Sequence, residues 1–176
     1  MRAKDWQRIL AGLVVAPIPY VAYAESYLTE DQAAAVLFPG VKLEAGWVPL
    51  TPEQIKNIEK SSGEQVRERR IRMWRGTTEV MIVDRVIGKH ELITYAVAIL
   101  PDGKVKGVEI LDYRESYGYE IRRPKWRRHF VGKSLQDPLK LNKDIPNISG
   151  ATLSCLHVTN GIRRILNVYE ILRKNN

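Results

Sequence analysis

The spacing of apolar and polar residues changes twice along the chain and predicts three regimes. The first is helical. Thr29-Glu30-Asp31-Gln32 sets a hydroxyl three residues before a Gln, the reciprocal cap of a helix start, and Ala33 to Leu37 continue it as far as Pro39-Gly40. Thr51-Pro52-Glu53-Gln54 repeats the device with Pro at the first helical position. Ile55 and Ile58 form its apolar stripe and Ser61-Ser62-Gly63 ends it. The second regime has strand character. Residues 69–75 alternate loosely, and 77–87 and 91–100 are rich in β-branched and aromatic residues. Pro101-Asp102-Gly103-Lys104 reads as a tight hairpin turn and 105–113 as the return strand. Short links between three or four such strands predict an antiparallel meander. The third regime is one amphipathic helix over about 152–172, where Cys155, Val158, Ile162, Ile165, Leu166, Tyr169 and Leu172 keep to one face. Between them, residues 114–148 are irregular, with Pro124 placed to open a short helix through Phe130. The sum is an α+β fold: an antiparallel β meander packed against a C-terminal amphipathic helix and N-terminal helices.

Residues 1–24 obey another logic. Arg2, Lys4 and Arg8 precede an uncharged run over 9–22, and Ala22-Tyr23-Ala24 supplies small residues before Glu25. This is the three-part pattern of a secretory signal peptide, cleaved after Ala24. The apolar run is short for a membrane span and carries Pro17 and Pro19. The expected address is therefore the periplasm or the extracytoplasmic face of a membrane.

Composition narrows the picture. A length of 176 residues with 44% apolar and 27% charged residues suits one globular domain. The single cysteine excludes an internal disulfide framework and a cysteine-based zinc cluster. His90, His129 and His157 have no Ser or Asp companions in a hydrolytic motif, so neither catalytic residues nor a metal site are assigned. The net charge of +8 becomes +6 once three basic residues and Asp5 leave with residues 1–24. An exported basic chain has no nucleic acid to meet, so its partners are a membrane surface, an acidic protein or an anionic cofactor.

The candidate chemistry lies just before the last helix, in Asn147-Ile148-Ser149-Gly150-Ala151-Thr152-Leu153-Ser154. Gly150 and Ala151 allow close backbone approach, and the first N–H groups of a helix lack intrahelical partners. With the helix dipole they make a phosphate site. The plainer reading is N-capping by Ser149 or Thr152. Upstream, Glu115-Ser116-Tyr117-Gly118-Tyr119-Glu120 precedes Trp126-Arg127-Arg128-His129-Phe130-Val131-Gly132.

These two stretches, over roughly residues 75–172, resemble the FMN-binding domain of the flavin-bearing subunits of the Rnf complex and of the sodium-pumping NADH:quinone reductase. The resemblance implies FMN carried on Thr152 through a phosphoester. A flavin transferase would install it from FAD with magnesium. Ser149, Gly150, Ala151, Leu153 and Ser154 would then recognise and cradle the phosphate. Six positions before the threonine, where the family motif has an acidic residue, this chain has Pro146, with Asp144 and Asn147 beside it.

Tyr117, Tyr119, Trp126 and Tyr113 are candidates for an aromatic wall beside the flavin ring, Trp126 and Phe130 reading equally as helix-face core. Glu115 either bonds to the flavin or stands idle in its loop, and Gly118 forms the turn. The basic run Arg122, Arg123, Lys125, Arg127 and Arg128 is either a solvated face, a set of cations near the reduced flavin, or a docking patch. The chain divides into 1–24 signal peptide, 25–70 N-terminal helical elaboration and 71–176 FMN-binding domain. The implied function is an exported electron-transfer protein, served by the flavin transferase and by a membrane or periplasmic redox partner such as a reductase or cytochrome. Alternatives are a reversible flavin-binding sensory or regulatory module and a flavin-free basic interaction module.

Overall fold

The computed structural model describes residues 25–26 and 28–174. The expected signal peptide, residues 1–24, lies outside them. Among the described residues no helix is long and apolar enough to cross a membrane.

Both N-terminal helices start where the capping boxes place them. Helix α1 (Glu30–Leu37) and helix α2 (Pro52–Ser62) each show the reciprocal pair of bonds, Thr29 with Gln32 and Thr51 with Gln54. The expected meander is present and longer than read. Strands β3 (Arg70–Arg75), β4 (Val80–Ile87), β5 (Leu92–Ile99) and β6 (Val105–Tyr113) lie side by side, all antiparallel. Two further strands belong to the segment read as helical. Strand β2 (Glu44–Pro49) pairs with β3, and the two-residue β1 (Glu25–Ser26) returns to pair with β6. The sheet order is β1-β6-β5-β4-β3-β2, so the N-terminal segment supplies both edges. The Glu-Ala-Gly-Trp-Val-Pro sequence of β2 hid this, because an edge strand facing solvent needs no apolar alternation.

The two faces of the sheet are built differently. Tyr95, Val97 and Ile99 point to the main core, whereas Ala96 and Ala98 on the opposite face belong to a second cluster with Ala33, Ala34 and Leu37 of α1. Small residues on both surfaces bring α1 close, and Gly107 leaves room for Leu37. The main core lies under helix α4 (Thr152–Lys174), whose 23 residues run about 34 Å. Helix α2 packs on α4, where Arg163 donates to the Ser62 carbonyl at 3.0 Å. Cys155 is free and fully buried, and burial pushes its thiol up to about 11.

One polar device locks α4 to the sheet. Arg164 meets Asp84 of β4 at 2.5 Å, and Asp84 also accepts from the buried Tyr95 hydroxyl at 2.9 Å. The second Arg164 nitrogen donates to the Gln65 carbonyl at 3.0 Å. Gly161 faces this group, and a Cβ there would collide with the Tyr95 hydroxyl. Removing one partner of a buried ion pair strands the other charge. Arg164→Met should therefore lower unfolding free energy by about 3 kcal/mol in urea denaturation, and adding Asp84→Asn should restore part of it. Equal stability of Arg164→Met and the parent chain would contradict the lock.

Candidate functional site

The irregular stretch 114–148 forms a short 3₁₀ turn (Tyr119–Arg122), helix α3 (Pro124–Arg127) and another 3₁₀ turn (Arg128–Phe130). Trp126 is buried edge-to-face against Phe130, with ring centroids 5.1 Å apart, and its Nε1 donates to the Pro146 carbonyl at 2.8 Å. Its place is the helix-face core, and it fixes where the loop before α4 begins. The same loop is pinned by buried Leu139 and Ile145. Leu139 carries a left-handed φ of 43°, and its N–H and that of Lys140 donate to the Asp144 carboxylate. Burial opposes ionisation of Asp144, but these bonds and Lys133 outweigh it and hold the carboxyl below its ordinary value. Asp144 is thereby committed to the loop rather than to the motif.

The loop delivers the chain to the start of α4. Ala151 is buried, and its carbonyl accepts the first helical bond, from the Cys155 N–H at 2.9 Å. Ala151 therefore stands at the N-cap with no side-chain oxygen to offer, in contrast to Thr29 and Thr51 on the other two long helices. Capping by Ser149 or Thr152 is not what this turn does. Ser149, Gly150, Thr152 and Leu153 are exposed. Gly150 has φ +83° and open space where a side chain would be. The first amides of α4 face outward at its positive end. Thr152 Oγ1 accepts from Asn147 Nδ2 at 3.0 Å, which orients the hydroxyl. Asn147, an amide five residues ahead of the threonine, is the positioning residue, to which the sequence alone assigned no role.

The upstream turn reaches the same place. Gly118 has φ +85°, and a Cβ on it would overlap the Cβ of Ala151 and crowd the Tyr113 hydroxyl. That hydroxyl donates to the Tyr117 carbonyl at 2.5 Å, and Ser154 behind it is buried. Tyr117 itself is 80% exposed. Glu115 is neither idle nor turned outward. It accepts from the His90 and Glu91 amides at 2.6 and 3.1 Å, so it ties down the β4–β5 turn. The far side of that turn is held by His157, whose Nδ1 lies 3.0 Å from the Gly88 carbonyl. The sequence implied a short link between these strands but not its contact with Glu115. Its signal was Gly88, where a Cβ would meet both Glu115 Oε1 and Ser154 Oγ.

The basic run divides. Arg127 is paired with Glu109 and donates to backbone carbonyls, and Arg122 and Arg123 stack on Tyr119. Arg123, Lys125 and Arg128 are exposed. Among the described residues no group of His, Cys, Asp and Glu is arranged to hold a metal ion.

The longest helix of this α+β domain opens, uncapped, onto solvent beside a Gly turn, and such a helix end can receive an anion. Residues 88–167 match the family model of the FMN-binding domain. The protein is thus a flavin-binding protein with FMN as its cofactor. No curated protein matches the chain. The matched segment begins at Gly88 and ends within α4, so it contains both halves of the site and excludes α1, β2 and α2.

Glu115 gives a pH signature. Burial raises its pKa, but the backbone amide bonds win and hold it below the usual 4.5. A carboxyl depressed on folding stabilises the fold above its unfolded value, and that contribution is lost as pH falls through the folded one. The thermal midpoint should therefore fall below about pH 4.5 more steeply in the parent chain than in Glu115→Gln. Parallel profiles would refute the clamp.

Proposed function

We propose that the chain is an exported FMN carrier that holds its flavin through a phosphoester on Thr152. It relays electrons between a membrane reductase and a periplasmic acceptor. The observation that carries this reading is the exposed Thr152 hydroxyl at an uncapped helix N-terminus, oriented by Asn147. When bound, the flavin supplies one- and two-electron chemistry. The first amides of α4 would face the phosphate, and Gly150 leaves the approach open. Glu115 and His157 would keep the β4–β5 turn still beside it. An ester bond suits a compartment with little free flavin, because the cofactor cannot dissociate. A flavin transferase using FAD and magnesium would form it, joining Thr152 Oγ1 to the FMN phosphorus as the pyrophosphate bond breaks and AMP leaves. Tyr117 and Tyr119, both exposed, are the aromatic side chains nearest the motif in the Gly118 turn, and support a ring held at the surface within reach of a partner.

A second reading is a reversible flavin-binding module with sensory or regulatory duty. It is favoured by Pro146, which stands where the family motif has an acidic residue and whose carbonyl is taken by Trp126.

One experiment separates them. After coexpression with a flavin transferase, the denatured chain should exceed its unmodified mass by one FMN less one water. Thr152→Ala should abolish the adduct, and Asn147→Ala should reduce its yield several-fold. Flavin released on denaturation would favour the reversible module. An adduct that survives Thr152→Ala would move the attachment site.

A further inference from the structure

Helix α1 covers only part of its face of the sheet. Its eight residues run about 12 Å, against about 27 Å for the eight residues of β4. The covered part is Met81, Val83, Ala96 and Ala98. Toward the β4–β5 turn no helix among the described residues covers the same face, which carries apolar side chains. Ile87 and Leu92, paired across the two strands, are 40% and 46% exposed, and Trp47 on β2 is 43% exposed. Trp47 and Leu92 line a cavity of about 160 Å³, to which Arg67, Arg70 and Arg85 also contribute.

The lining sets Arg67, Arg70, Arg72, Arg85 and Arg164 against Glu30, Glu68 and Asp84, an excess of two positive charges. Arg72 and Arg164 are spent on Glu30 and Asp84. Among the described residues no carboxylate pairs with Arg67, Arg70 or Arg85. The Arg70 guanidinium carbon lies over Trp47, 4.2 Å from the ring centroid, so the indole is already held in place. A rigid aromatic among apolar neighbours, rimmed by cations, is the composition of a protein contact rather than of a solvated face. The surface is also continuous with the site. Ile87 and Leu92 flank the turn whose amides hold Glu115 and whose Gly88 abuts Ser154.

We propose that this bare end of the sheet is the docking surface for an acidic redox protein. Its carboxylates meet Arg67, Arg70 and Arg85, and its apolar centre meets Trp47, Ile87 and Leu92. The proposal rests on the electron-carrier reading and adds the face and the charge of the partner. It also assigns docking to a different set of cations from the run at 122–128. That run has lost Arg127 to Glu109, and its Trp126 and Phe130 are buried, which leaves Tyr119 as its exposed ring.

The test uses the flavin-loaded full chain and an acidic flavodoxin as probe, with affinity measured at low and high salt. Binding should weaken as salt rises. The set Arg67→Glu, Arg70→Glu, Arg85→Glu should cut affinity about tenfold or more, and Trp47→Ala should do likewise. The control set Arg123→Glu, Lys125→Glu, Arg128→Glu, with the same change in net charge, should alter it by less than about twofold. Unchanged thermal midpoints show that all variants fold. Absence of binding, or equal losses in the two sets, overturns the proposal. Vesicles of phosphatidylserine and phosphatidylcholine form a second arm. If they bind through Arg67, Arg70 and Arg85 while flavodoxin does not, the surface is for lipid and the proposal fails. The mass of each preparation is read alongside. A chain without adduct that still shows the selective loss overturns the carrier reading alone, and an adduct with equal losses overturns the docking surface alone.

Discussion

The site depends on one close approach, Gly118 against Ala151. The two residues belong to segments more than thirty positions apart in sequence, the turn after β6 and the start of α4. No Cβ fits between them, and the left-handed φ of Gly118 is open to few other residues. Because they touch, the Tyr113 hydroxyl bridges from β6 to Tyr117, and Glu115 is set where the amides of the β4–β5 turn can hold its charge. Separated by even a methyl group, the turn and the helix start would be two unrelated surface features.

The second constraint is electrostatic. The chain caps α1 and α2 with side-chain oxygens and gives α4, its longest helix, an alanine instead. An unmade cap forgoes about 1 kcal/mol. The loss leaves outward-facing amides at the positive end of a 23-residue helix, and an anion is their natural complement. Stability is recovered elsewhere on the same helix through the Arg164–Asp84–Tyr95 lock and a fully buried face. The site end is thus open while the body of α4 is rigid, an arrangement suited to holding a cofactor at the surface of a fixed frame.

Much of this was legible in the sequence. The capping boxes, the Asp-Gly hairpin and the periodicity of α4 are local signals, and each gave an element at its place. The threonine motif and the Gly118 turn were legible as motifs, and their meeting through Gly118 and Ala151 is geometry. What escaped was non-local. Strand β2 lies at an edge and carries no alternation, so nothing in its own residues announced that it would pair with β3. Glu115 could not be assigned because its partners are backbone amides twenty-four and twenty-five residues earlier. Trp126 and Asp144 read as site candidates or neighbours by position, yet their bonds go to the loop that leads into the motif.

The central claim is that the open end of α4 receives the flavin phosphate. Backbone amide shifts, compared by NMR between the flavin-free and flavin-loaded chain, test it most directly. The largest changes should fall on Gly150, Thr152, Leu153 and Ser154, with the α1 and α2 amides unmoved. Changes centred elsewhere in the chain, with those four amides at their flavin-free positions, would contradict it.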